Sequence, residues 1–297
     1  MLDIRDEMRK VGIGCDERIE VDGELHRFDN AMDPEAKRGK KNGWYVFYSA
    51  GDRVSGAYGD WRYGATHTYS AGESHPLVQE QKRAARRARA DEADEAARRA
   101  LVEWGFLESV GDSEYLKRKG IPALGVRFGR ASGGENFTAV PMTRGWGIVG
   151  LQKIYDSGGK RFTAGCSKKG AYFIIPGEVS TVLCEGYATG ASIHMATGFS
   201  VLVCFDCGNM VEVAKALSRG SVEGVTGPCL IATDEDNSKV NGVLRNPGRE
   251  AAEAASRVLG CGIVSPLGGD NFTGTDFNDL HKQFGLAAVA VKFLEEL

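Results

Sequence analysis

The sequence predicts an α/β domain with a mainly parallel sheet flanked by helices, preceded by a β-rich, basic α+β region. Three observations carry this. Beyond Pro176, short continuous apolar runs alternate with helical stretches at close spacing, the pattern of a parallel sheet buried on both faces. Between residues 114 and 176, short apolar runs are separated by Gly-rich turns, the pattern of a small antiparallel sheet. Charge follows the same division. Residues 115–170 hold 11 Lys and Arg against 2 Asp and Glu, a net +9 between flanking segments of −5 and −7. A basic stretch rich in Gly and aromatics favours a polyanion-binding surface.

The bulk numbers bound the reading. The chain has 297 residues, 42% hydrophobic and 26% charged, an ordinary globular composition. No apolar run approaches the ~20 residues of a membrane span. The first thirty residues are polar and mixed in charge, unlike a signal peptide. A cytoplasmic protein with no membrane partner is expected. The seven cysteines are an odd, scattered set, the usage of a reducing compartment. Cys204 and Cys207 form a CxxC, but no second pair and no nearby His pair completes a zinc site, so no zinc is predicted.

Residues 16–70 read as β-rich, with "RIEVDGELHRF" and "NGWYVFYSAGDRVSGAYGDWRYG" alternating around Asp-Gly, Asn-Gly and Gly-Asp turns. Aromatics on such a sheet form a core or, on an open face, stack bases. Residues 76–104 read as a long helix, with Pro76 in its first turn and Ala, Arg and Glu dominant. "EYLKRKG" reads as a short helix closed by Gly120. "FTAVPM", "WGIVGLQKIY" and "GAYFIIP" read as strands of one antiparallel sheet, with Lys160, Arg161, Lys168 and Lys169 on its loops.

After Pro176, "TVLC" reads as a first strand, 186–197 as a helix, "SVLVCF" as a second strand and "NMVEVAKALSR" as a helix. "CLIAT" is a third strand, "PGREAAEAASRVLG" a helix and "GIVSP" a fourth strand. Three of the four strands end in acid: Glu185, then Asp206, then Asp234 and Asp236. In open α/β sheets, sites form outside the carboxyl ends of the strands. Carboxylates gathered there repel one another, and a divalent cation relieves the repulsion. In an extended "DED", Asp234 and Asp236 point to one side and Glu235 to the other.

Glu-Gly at the first strand end followed by Asp-x-Asp at the third resembles the Toprim domain. "EGYATGASIHMATG", "FDCGN", "ATDEDN", "NPGREAAEAA" and "DFNDLH" together resemble the Toprim primases of conjugative plasmids and satellite phages, relatives of the DnaG-type primases. "EYLKRKGI" and "FTAVPM…GIVGLQKI…GGKRFTAGCSKKGAYF" are similar to the basic subdomain that precedes Toprim in primases. The resemblance covers residues 114–285 and extends more weakly to 16–70. Together with the segment readings, it divides the chain into a β-rich N-terminal region at 1–75, a basic, charged connecting helix at 76–113, a basic primase subdomain at 114–176 and a Toprim catalytic domain at 177–297.

The implied activity is that of a DNA primase, a DNA-directed RNA polymerase that makes short RNA primers on a single-stranded DNA template from nucleoside triphosphates. The setting would be plasmid or phage replication or conjugative transfer. Asp234 and Asp236 would hold Mg²⁺ or Mn²⁺, and Glu185 would be a further ligand or a general base. Asp206, Asp276 and Asp279 are candidates for another ion, with Asp276 equally suited to capping a helix. Lys153, Lys160, Arg161, Lys168 and Lys169 would contact the template or the triphosphate, with Lys119 and Arg144 in support. The start of the helix near Gly248, with Arg249, could receive phosphate. Many primases open with a zinc module and some carry a fused helicase. Neither is recognisable, so the chain is expected to work with a partner helicase or as a piece of a longer protein. The alternatives are a Toprim nuclease using the same acids, and a non-catalytic single-strand-binding accessory protein.

Overall fold

The structure is a computed structural model that describes all residues except 1–3, 35–38, 52, 63–64, 72–75, 226, 236–237, 241–242, 269–270 and 297; of 65, 238–240 and 243–245 it describes the backbone alone. The chain divides into two compact units, Met1–Asp91 with Asn237–Arg245, and Glu92–Asp236 with Asn246–Leu297.

The first unit contains α1 (Ile4–Lys10) and an antiparallel sheet ordered β1 (His26–Phe28), β2 (Gly43–Ala50), β3 (Arg53–Asp60), β4 (Ala65–Ser70). Alternation along β2 gives the sheet two apolar faces. Tyr45 and Phe47 pack with Phe28, Tyr58, Met8 of α1, Ile13 and Cys15. Val46 and Tyr48 pack on Val78, which lies in α2 (Pro76–Phe106), the long helix in which the division between the units falls. Most of the first unit's aromatics are therefore core, while Trp61 keeps 46% of its surface exposed and stacks on Trp44. The stretch "RIEVDGEL" is not a strand beyond an isolated bridge at Asp22. The Asp22 carboxylate accepts from the Glu24 N–H at 2.9 Å and holds His26, so local turn chemistry wins over alternation.

The second unit continues with α3 (Glu114–Lys119). Its N-cap Ser113 accepts from the Leu116 N–H, and Gly120 closes it in the left-handed region. An antiparallel sheet follows, β5 (Arg127–Arg130), β6 (Asn136–Arg144), β7 (Gly147–Tyr155) and β8 (Lys160–Phe162). Lys160 and Arg161 thus lie in a strand rather than in a loop. The run "GAYFIIP" also departs from expectation. Its strand, β9 (Phe173–Ile175), pairs antiparallel with the second strand of the α/β domain, β11 (Ser200–Val203).

That domain comprises β10 (Thr181–Cys184), α4 (Tyr187–Thr197), β11, α5 (Cys207–Ser218), β12 (Cys229–Ala232), a β13–β14 hairpin (Ser238–Val240, Val243–Arg245) that groups with the first unit, α6 (Pro247–Leu259), β15 (Gly262–Val264), α7 (Phe277–Phe284) and α8 (Leu286–Leu294). The sheet order is β15-β12-β10-β11-β9, parallel except at β9. Leu183, Leu202 and Ile231 face α5 and α6, where Met210, Val213, Ala252 and Ala255 are buried. Val182, Val201 and Leu230 face the opposite core with Ile193 of α4, Phe277 of α7 and Phe293 of α8. Val140, Met142 and Ile154 of β6 and β7 join that second core. No helix among the described residues is long and apolar enough to cross a membrane.

Candidate active site

Strand β10 lies between β11 and β12, so the three acid-bearing strand ends are neighbours. Glu185 follows Cys184, which is wholly buried. The next strand end is laced to it, with the Cys204 N–H donating to the Cys184 carbonyl and the Phe205 N–H to the Glu185 carbonyl, both at 2.8 Å. Gly186 caps α4 without a side chain. A Cβ on Gly190 would come within 2.9 Å of Val203 and 3.1 Å of Cys184, so a glycine there lets the helix lie close on the sheet and holds the Glu185 turn.

Glu185, Asp234 and Asp276 line one cavity of about 310 Å³. Tyr115, Arg118 and Lys119 enter it from α3, Gln152 from β7, Lys160 from β8, and Phe205 from the turn after β11. Carboxylates and cations therefore share one space. Asp276 also caps α7, accepting from the Asp279 N–H at 2.8 Å, and burial raises its carboxyl above the usual range. Asp279 accepts from the Thr275 N–H at 3.1 Å.

The neighbouring residues of "DED" have different fates. Glu235 is buried and accepts from Thr233 (2.7 Å), Ser265 (2.7 Å), Asn246 (2.6 Å) and Arg249 (2.8 Å). Burial pushes its carboxyl up, but the hydrogen bonds from Ser265, Arg249 and Thr233 outweigh it and the net shift is downward. Asp236 lies outside the described residues. Gly248 explains how α6 seats on this strand end: a Cβ there would stand 2.3 Å from the Asp234 carbonyl oxygen. The Arg249 N–H is capped by Asn246 at 3.0 Å and its guanidinium binds Glu235.

The predicted basic residues are divided. Lys119 and Lys160 reach the cavity. Lys168 bridges Asp206 at 2.5 Å and stands over the Phe162 ring, and Asp206 also caps α5 through the Asn209 N–H. Lys169 pairs with Glu212 at 3.4 Å and Lys153 with Glu103 at 2.5 Å. Arg161 stands over Tyr155, and Arg144 donates to the Ser167 carbonyl. Arg118, Gln152, Phe205 and Tyr115 join the cavity without a motif in the sequence that marks them. The spacing of Tyr115, Arg118 and Lys119 on a short helix was the available signal, since these positions share a face.

Among the described residues, no three His, Cys, Asp or Glu side chains close into a metal-binding group. The donor set still suits Mg²⁺ or Mn²⁺, which take hard oxygens and often need only one or two carboxylates beside waters and substrate phosphates. Glu185 and Asp234 supply that number. The CxxC thiols sit in surroundings that disfavour the thiolate. Burial and the charges of Glu185 and Asp206 push Cys207 up to about 11, and burial raises Cys204 further.

Residues 180–287 match the Toprim domain family. Two proteins from Escherichia coli, both called DNA primase TraC, align over 83% of this chain. One is 30% identical over 264 residues and the other 26% over 266. The chain spans 18% and 24% of their respective lengths. Among solved structures, a chain from the bacteriophage T7 lagging-strand DNA polymerase complex with primase domains of two gp4 subunits, an RNA/DNA hybrid and dTTP aligns with a TM-score of 0.44. It is 14% identical, with 64% of this chain and 90% of that chain covered.

Proposed function

We propose that this chain, which carries a Toprim domain and resembles the DNA primases TraC over most of its length, synthesises short RNA primers on single-stranded DNA by metal-dependent nucleotidyl transfer. One observation carries the reading: the strand-end acids Glu185 and Asp234 share a single cavity with Lys119, Arg118 and Lys160. Joining nucleotides requires hard oxygen ligands for a cation on one side and positive charge for phosphates on the other.

Glu185 and Asp234, together with Asp236 by its place in the sequence, would hold Mg²⁺ or Mn²⁺. A bound ion supplies charge neutralisation at the phosphate that is attacked. Lys119, Arg118 and Lys160 bind and orient the triphosphate, whose charge the acids alone would repel. Glu185 either ligates the ion or takes the proton of the attacking 3′-hydroxyl. The Glu235–Arg249 contact holds the strand end on which Asp234 is mounted. Single-stranded DNA and nucleoside triphosphates are the substrates, a replicative helicase is the expected partner, and plasmid or phage replication or transfer is the setting.

The test is to incubate the protein with Mg²⁺ and single-stranded DNA, with and without labelled ribonucleotides. Labelled products that need both template and nucleotides support the reading. Shortened DNA without nucleotides identifies a nuclease instead, and DNA binding with neither product identifies an accessory protein.

A further inference from the structure

Gln152 occupies the middle of β7, is only 4% exposed, and lines the cavity. Its cross-strand partners are Val140 on β6 and Phe162 on β8. Val140, Met142 and Ile154, on the same face, are wholly buried in the core. Thr138, also on that face, donates its hydroxyl to Ser113 at 2.8 Å. Gln152 differs: among the described residues, no group hydrogen-bonds its side-chain amide. An amide carries two donors and a two-lone-pair acceptor, and here they open on the cavity rather than on a protein partner. Leu or Met would suit the apolar neighbours on this face at least as well.

Phe205 stands nearby. Its ring meets Phe162 edge-on at 6.2 Å, so an aromatic surface adjoins the amide through the cross-strand neighbour of Gln152. Phe205 has φ +72, a left-handed conformation that is costly for a bulky side chain and is found at sites the surroundings over-determine. Its N–H bond to the Glu185 carbonyl anchors that turn.

We propose that Gln152 reads the base edge of the nucleotide in this cavity, with Phe205 as the apolar surface beside it. This rests on the nucleotidyl-transfer reading of the site. Lys119, Arg118 and Lys160 suit the phosphates, and Glu185 and Asp234 suit the ion. The neutral nucleoside remains, and its base presents adjacent donors and acceptors that a carboxamide matches with two hydrogen bonds.

The experiment is a titration of the wild-type chain, Gln152→Met and Gln152→Glu with the four ribonucleoside triphosphates, their deoxy counterparts and inorganic triphosphate, all with Mg²⁺. Thermal melting is measured in parallel. Gln152→Met is expected to melt at the same temperature or higher and to bind inorganic triphosphate as wild type does. Its affinity for the preferred base should fall about tenfold, narrowing the spread among the four. Gln152→Glu, which accepts but does not donate, should shift preference toward cytosine. Three results overturn the assignment: unchanged base selectivity in Gln152→Met, an equal loss for inorganic triphosphate, or a loss confined to ribonucleotides with base selectivity intact. If wild type binds inorganic triphosphate but no nucleotide more tightly, the base site is likewise refuted. If it binds neither, the nucleotidyl-transfer reading itself falls.

Discussion

Asn30 in the first unit and Gln152 in the second are both buried amides with 4% exposure, and each belongs to a region built on a four-stranded antiparallel sheet. Asn30 uses its full capacity. Its oxygen accepts from the N–H groups of Gly14 (2.8 Å) and Met32 (3.1 Å), and its nitrogen donates to the Gly12 carbonyl (3.2 Å) and the Asp60 carboxylate (3.0 Å). Gln152 uses none of its side-chain capacity within the described protein. The difference separates a polar group that specifies a fold from one kept available for a ligand. In the first sheet, a satisfied amide ties the Gly14 loop to the end of β3. In the second, the amide faces the cavity that holds Glu185 and Asp234.

The largest effect belongs to the acids of the cavity. Glu185→Ala and Asp234→Ala should each weaken Mn²⁺ binding, measured by calorimetry, on the order of a thousandfold, because the ion has few protein ligands to lose. Their unfolding midpoints should stay near wild type, and a cooperative loss of fold would place these acids with Asn30 instead. Asn30→Leu should cost about 3 kcal/mol in urea unfolding, since it strands several buried partners including Asp60. Nucleotide affinity of the folded protein should be unchanged. If the cost is below about 1 kcal/mol, a filled hydrogen-bond set is not what fixes the first unit.

Glu235→Ala tests the same contrast between adjacent residues. Removing the buried acceptor of four side chains should cost about 2–3 kcal/mol in urea unfolding, whereas Asp234→Ala leaves stability nearly intact. Equal costs would show that both residues of the strand end are structural. The smallest effect belongs to Lys168 and Lys169, whose partly exposed pairs with Asp206 and Glu212 should contribute less than about 1 kcal/mol to stability. If they also meet the template, Lys168→Ala with Lys169→Ala should flatten the dependence of DNA affinity on salt by up to about two phosphate contacts. An unchanged slope removes them from the interface.

The sequence made the α/β half legible because buried parallel strands are continuous apolar runs, and the ends of "TVLC" and "CLIAT" show where Glu185 and Asp234 stand. Gln152 was not legible. Alternation in "GIVGLQKIY" identifies two faces but not which position opens on a cavity. The pairing of Lys168 with Asp206, 38 residues on, and of Arg249 with Glu235 depends on how distant segments meet, so a positively charged run could not reveal which cations remained for phosphate. The placement of β9 in the parallel domain's sheet has the same origin. Its apolar run suits either sheet, and only the edge offered by β11 decides. In "RIEVDGEL", the alternation was real, but the Asp22 turn competed with it and won.

The proposed nucleotidyl transfer depends on the acids that end β10 and β12. The most direct measurement is template-dependent incorporation of labelled ribonucleotides on single-stranded DNA with Mg²⁺, by wild type, Glu185→Ala and Asp234→Ala at matched folded concentration. Wild type should make primers, neither variant should make any detectable, and all three should retain single-strand binding. Primers of ordinary yield from both variants would contradict that dependence.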